Sequence, residues 1–208
     1  MRKSSILFLL FTLLVFSSVG QENSVCGIFI RATTSVSGGE YFINILERGH
    51  SFQIIYQFKD STSKKVNEDA SVISVRNSLA AVEDLRPDND TVKKLVLTLD
   101  SLYQTYTSYS RDSLSITYEE KPSYVVLFQK VLASSVEELE NNNRNRIVLD
   151  GTRMKFIISN KGETKTVYVN SPSIETNPVL YSLLRETLNL YRQRKGNILL
   201  TEQRTSGY

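Results

Sequence analysis

The chain is poor in the residues that most often carry catalysis or cross-linking. Its 208 residues include one Cys, one His, four Pro and no Trp. A solitary Cys26 excludes an internal disulfide framework. One His and one Cys supply too few donors for a zinc site of the usual kinds, and the pattern offers no Cys–His nucleophile pair. The nucleophile signature Gly-x-Ser-x-Gly is missing, because Gly49-His50-Ser51-Phe52-Gln53 fails at its last position. Dinucleotide and phosphate-binding glycine loops are missing too. Neither sign of charge dominates, since 25 Lys+Arg stand against 22 Asp+Glu.

Partial matches to catalytic or metal motifs fail on their chemistry. Ser61-Thr62-Ser63-Lys64 has the spacing at which a lysine activates a serine, but Lys64 lies in a polar linker where its amine stays solvated. Asp88-Asn89-Asp90 opens like a calcium loop, yet Lys93 occupies the glycine position and Leu99 the final carboxylate position. These residues are better placed as helix caps. Glu119-Glu120 and Glu137-Glu138 are carboxylate pairs, but neighbours on one element do not face each other across a sugar. His50, in a hairpin loop, reads as a solvated imidazole.

What is present begins with a leader. Arg2 and Lys3 precede an apolar run from Ile6 to Phe16, and Ser18 and Gly20 supply the small residues of a cleavage site. This is the pattern of a secretory signal peptide over residues 1–20, with the mature chain starting at Gln21. The apolar run is too short for a hydrocarbon core of about 30 Å, so no stable membrane anchor is expected after cleavage. The leader resembles a Gram-negative export signal, which implies an extracytoplasmic location, periplasmic or secreted. Cleavage removes two basic residues and no acidic one, so the net charge of +3 falls to +1. No electrostatic footprint for nucleic acid or anionic lipid is left in the net charge.

The mature chain alternates strand and helix patterns. Residues 25–33, Tyr41–Leu46 and Phe52–Phe58 read as strands of a meander, with Phe52, Ile54, Tyr56 and Phe58 on one face. Val72, Val75, Leu79 and Val82 predict a helix over 69–84, ended by Arg86-Pro87. Val92, Val96, Leu99, Tyr103 and Tyr106 predict the strongest helix, and a short strand is expected over Leu114–Tyr118. From Pro122 to Glu140 the pattern allows one helix, or a strand at Tyr124–Phe128 followed by a separate helix that Ser134 and Glu137 would start as a capping box. A second hairpin, Met154–Ser159 with Thr164–Asn170, precedes a helix lined by Val179, Leu183, Leu184, Leu188 and Tyr191. A further strand is expected at Ile147–Leu149.

The fold class is therefore α+β: one domain over 21–208, with antiparallel hairpin or meander segments at both ends packed against about four helices. Residues 196–208 are expected to fray, and Cys26 reads as a small buried hydrophobe. Tyr is the enriched type, with 11 copies, and Tyr103, Tyr106 and Tyr109 recur at steps of three. Tyr grips sugars or protein partners at low entropic cost, which makes Tyr106 and Tyr109 the candidate contact residues. The expected function is an exported, non-enzymatic binding or interaction protein, without cofactor, whose partner is a protein or a glycan and not nucleic acid. The alternatives are a carboxylate-based, glycosidase-like hydrolase and an envelope-associated structural subunit.

Overall fold

Period-two alternation of apolar and polar residues builds one six-stranded sheet. The strands are β1 (Gly27–Thr34), β2 (Glu40–Arg48), β3 (Ser51–Thr62), β4 (Thr107–Thr117), β5 (Thr152–Asn160) and β6 (Glu163–Asn170). Their order is β4-β3-β2-β1-β5-β6, and every neighbouring pair is antiparallel. The computed structural model describes residues 26–34, 39–86, 89–141, 151–196 and 198–208. The expected leader, the start at Gln21, Ser37 and Gly38 of an expected break at Ser37-Gly38-Gly39, Pro87-Asp88 and the strand at Ile147–Leu149 lie outside the described residues.

The α+β class and the contribution of both chain ends hold. β1 sits between the two hairpins, with Ile30 facing Ile43 on one side and Phe156 on the other. Arg48 pairs with Ser51 across a two-residue turn in which Gly49 takes φ +60°, and Asn160 pairs with Glu163 across Lys161 (φ +48°) and Gly162 (φ +90°). Left-handed residues in two-residue turns match the right-handed twist of the strands.

One face of the sheet is the core side. Three helices cover it: α3 (Pro122–Ala133), α4 (Val136–Glu140) and α5 (Pro178–Lys195), numbered after the two helices described below. Phe52 is enclosed by Phe128 at 4.8 Å, Tyr118 at 5.2 Å and Tyr124 at 5.3 Å between ring centroids. Leu180, Leu183, Leu184, Thr187, Leu188, Leu190 and Tyr191 are the buried stripe of α5. Fully burying each large apolar side chain is worth about 1.5–3 kcal/mol, so this face dominates stability. The break between α3 and α4 comes one residue later than the expected Ser134 cap: Ser135 accepts from Glu138 N, and the Glu138 carboxylate accepts from Ser135 N. Glu140 of α4 then accepts the Tyr168 N–H on the outer edge of β6 at 3.0 Å, which blunts that edge against strand addition.

Residues 198–208 do not fray as expected. Leu199, Leu200 and Thr205 are buried, and Arg192 of α5 donates to Leu200 O at 3.1 Å, to Thr205 Oγ1 at 2.8 Å and to the carbonyl of Tyr208. Arg204 lies 4.5 Å from the centre of the Phe58 ring. A polar-looking tail is thus folded back by one arginine and two leucines.

The remaining helices, α1 (Ala70–Ala80) and α2 (Asp90–Thr105), form a hairpin beside β4. Asp69 caps α1 through Ser71 N and Val72 N, and Asn89 caps α2 through Thr91 N and Val92 N. The helix expected over 69–84 ends at Ala80, and only Val72 and Val92 of the pair are buried. Val96, placed by its spacing on a core stripe, is 47% exposed, and Leu97 is 69% exposed. The hairpin packs on itself and on the edge strand instead of on the core face of the sheet. β4 is longer than the expected Leu114–Tyr118, because it pairs with β3 as far back as Thr107, with an irregularity between Lys59 and Ser61. No helix among the described residues is long and apolar enough to cross a membrane.

Candidate functional site

Alternation sends every second side chain of the sheet away from the core, and the register decides which of them meet. Across the middle of this outer face, one row reads Arg111, Gln57, Phe42, Arg31, Lys155 and Tyr168 from β4 to β6. A neighbouring row contains Tyr109 beside Lys59, and Thr33 beside Glu40 and Arg153. On the other flank Asn44 faces Ile55 and Phe29, and Phe29 faces Ile157. With strands about 4.8 Å apart, Arg111 and Lys155 stand roughly 19 Å from each other.

Cations outnumber acids here. Arg31, Arg48, Lys59, Arg111, Arg153 and Lys155 belong to this face, whereas Glu40 is the one carboxylate among its strand residues. Glu40 is 7% exposed; it accepts from Arg31 Nε at 2.5 Å and lies 3.8 Å from Lys59 Nζ. From α2, Asp100 reaches to 3.8 Å from Arg31 Nη1, so the helical hairpin borders the face on that side. Arg111, Arg153 and Lys155 have no ion pair among the described residues.

The rings on this face carry the cations. Arg31 lies 5.8 Å from the Phe42 ring centre, and Lys155 lies 5.8 Å from that of Tyr168. Phe42 is tilted against Phe29 at 6.0 Å and meets the edge of Tyr109 at 5.7 Å. Such contacts steer the cation heads and add about 0.5–1 kcal/mol each at exposed sites. Burial, followed by the negative charge of Glu40, pushes the Tyr109 hydroxyl upward, so it stays a neutral donor. That hydroxyl and the side-chain amides of Asn44, Gln53 and Gln57 make no hydrogen bond among the described residues.

The two tyrosines singled out by the sequence are not brought together. Tyr109 lies on the outer face, on β4. Tyr106 follows the last turn of α2, and its hydroxyl donates to Asp69 Oδ2 at 2.6 Å. It ties the end of α2 to the cap of α1, and this bond is the first cause of a lowered Asp69 carboxyl. Arg31, Phe42 and Lys155 were missed, because alternation alone does not say which strands are neighbours.

The carboxylate pairs take supporting positions. Glu120 accepts from Thr117 N at 2.7 Å and from Arg194 at 3.0 Å, which holds its carboxyl below the usual range. A glycosidase acid needs the opposite shift. Glu138 closes the cap of α4. Ser61 lies in the last residues of β3 and Lys64 opens a 3-10 turn, so the two do not share a helical turn. His50 is exposed in its hairpin turn, 5.7 Å from the Tyr118 ring. Among the described residues, no three His, Cys, Asp or Glu side chains are grouped to hold a metal ion.

Comparison with protein-family models, with curated proteins and with solved structures finds no match.

Proposed function

We propose that this is an exported, non-enzymatic binding protein that takes its partner on the outer face of the sheet. The observation that carries the proposal is the set of side chains left unspent there: the Tyr109 hydroxyl, three side-chain amides and three unpaired cations around Phe42. Buried polar groups are normally satisfied within the fold, so polar groups gathered on one accessible face are available to a ligand. Export rests on the leader pattern of residues 1–20.

A panel of immobilised glycans and peptides, probed with the full chain and with Tyr109→Ala, tests the binding surface. Loss of a specific signal in that variant, with an unchanged melting temperature, supports the reading. Retention of every signal refutes it. N-terminal sequencing of protein recovered outside the cytoplasm should begin at Gln21, and a retained leader refutes export.

A second reading, a subunit of an envelope assembly, draws on the exposed Ile73, Leu85, Val96 and Leu97 of the α1–α2 hairpin. It requires self-association that Leu97→Glu abolishes. A monomer by light scattering at high concentration refutes it.

A further inference from the structure

We infer that the partner held by the outer face is an anionic polysaccharide of the carboxylated, uronic acid type. The inference rests on the reading of that face as the binding surface and adds its chemistry. Charge is the first ground. Six cations, Arg48 at the end of β2 included, stand against Glu40 and the bordering Asp100 on one side of a sheet, in a chain whose net charge is +1 once the expected leader is removed. The excess is therefore gathered on this face instead of spread over the molecule. Arg31 and Lys59 are already engaged by Glu40 and Asp100, which leaves Arg111, Arg153 and Lys155 for an external anion. Guanidinium groups suit carboxylates, which they grip through two parallel hydrogen bonds.

Geometry is the second ground. Arg111 and Lys155 lie at opposite ends of one row, roughly 19 Å apart, with Gln57, Phe42 and Arg31 between them. This row is long and shallow, with charge at intervals and amides between, as an extended chain of charged and hydroxylated units requires. A compact anion would span only one of these cations.

The state of the rings decides between a glycan and single-stranded nucleic acid. Stacked bases need free ring faces. Here Arg31 stands over Phe42, Lys155 over Tyr168, and Phe42 is further occupied by Phe29 and Tyr109. The rings position cations and offer no bare platform for bases. The unpaired Asn44, Gln53 and Gln57 amides and the Tyr109 hydroxyl supply the hydrogen-bonding groups that sugar hydroxyls need.

The test is biolayer interferometry of the full chain against immobilised polygalacturonate, neutral dextran and a poly(dT) strand, at low and high salt. The variants are Arg111→Ser, Lys155→Gln and, on the opposite side of the molecule, Lys130→Gln of α3. The expected result is salt-sensitive binding to polygalacturonate, weakened about fivefold by each outer-face variant, and left unchanged by Lys130→Gln. No binding to dextran is expected. Stronger binding to poly(dT), or equal loss with Lys130→Gln, overturns the inference. Binding to dextran that Tyr109→Ala abolishes and Arg111→Ser does not would keep the outer face as the binding surface while removing the anionic ligand. Absence of binding to polygalacturonate overturns the inference outright.

Discussion

The hydroxyl of Thr187 sits at the centre of a buried polar cluster whose energetics can be dissected with two substitutions. It donates to Leu183 O at 2.7 Å, so its single hydrogen is committed, and it accepts from Tyr124 at 2.8 Å. Tyr56 donates to the main-chain carbonyl of the same residue at 2.9 Å. Thr187→Val keeps the shape and removes the acceptor, which leaves the fully buried Tyr124 hydroxyl without a partner. Stranding such a donor costs about 1–3 kcal/mol. In a domain of this size each kcal/mol lowers Tm by about 2–4 °C. Tyr124→Phe alone leaves the Thr187 hydroxyl bonded to Leu183 and costs only about 0.5–1.5 kcal/mol. Because the second change removes the very group that the first one strands, adding Tyr124→Phe to Thr187→Val should be neutral or restorative. Denaturant melts of the four proteins give the interaction energy directly. Strict additivity of the two single losses would show that the hydroxyls do not depend on each other and would refute the reasoning.

Three further outcomes can be checked on the same material. Cys26 is 8% exposed, with its sulfur 3.4 Å from Asn160 Oδ1, so a native thiol reagent should modify it slowly and denaturant should speed the reaction; rapid native labelling refutes the burial. The Tyr41 hydroxyl is buried with no hydrogen-bond partner among the described residues, and burial pushes its pKa up, so Tyr41→Phe should leave stability unchanged or raise it by up to about 2 kcal/mol in a chemical melt; a loss of stability contradicts this. Glu120 is held below its ordinary range by Thr117 N–H and then Arg194, so its contribution is complete above the unfolded value near 4.5 and is lost as pH falls through the lower folded value. Melts of the parent and of Glu120→Gln should converge on acidification below that point, and a constant gap between them refutes the assignment.

The legible parts of the fold were those in which one local signal settled the outcome. Phe52, Ile54 and Tyr56 alternate with Gln53, Ile55 and Gln57, and the strand follows whatever its neighbours are. Leu183, Leu184, Leu188 and Tyr191 mark α5 in the same way, and the basic last turn before Gly196 marks its end. The errors come where a tertiary contact overrides the local pattern. Residues 107–113 look like a polar continuation of a tyrosine-bearing helix, but β3 extends to Thr62 and offers them a partner along their whole length. The tail from Ile198 contains few apolar residues, yet Arg192 supplies the hydrogen bonds that fix it, and no pattern within the tail announces an arginine on the preceding helix.

The candidate site was legible only through Tyr109, and the reason lies in how an antiparallel sheet assembles a surface. Arg31, Lys59, Arg111 and Lys155 come from four different strands, and each is an ordinary solvent-facing residue within its own strand. Their concentration on one face follows from two facts together, the strand order and the register, and a slip of one residue in any pairing would turn that strand's cation toward the core. The cost of burying an unpaired cation is several kcal/mol, so the core side of the sheet fixes the outer face as firmly as it fixes itself. Ile30 between Ile43 and Phe156 therefore does more than fill the interior: by locking β1 against β2 and β5, it places Arg31 between Phe42 and Lys155. The outer-face row is in this sense a consequence of core packing, and the sharpest way to disturb it without touching any of its residues is a core change that lets a strand shift register.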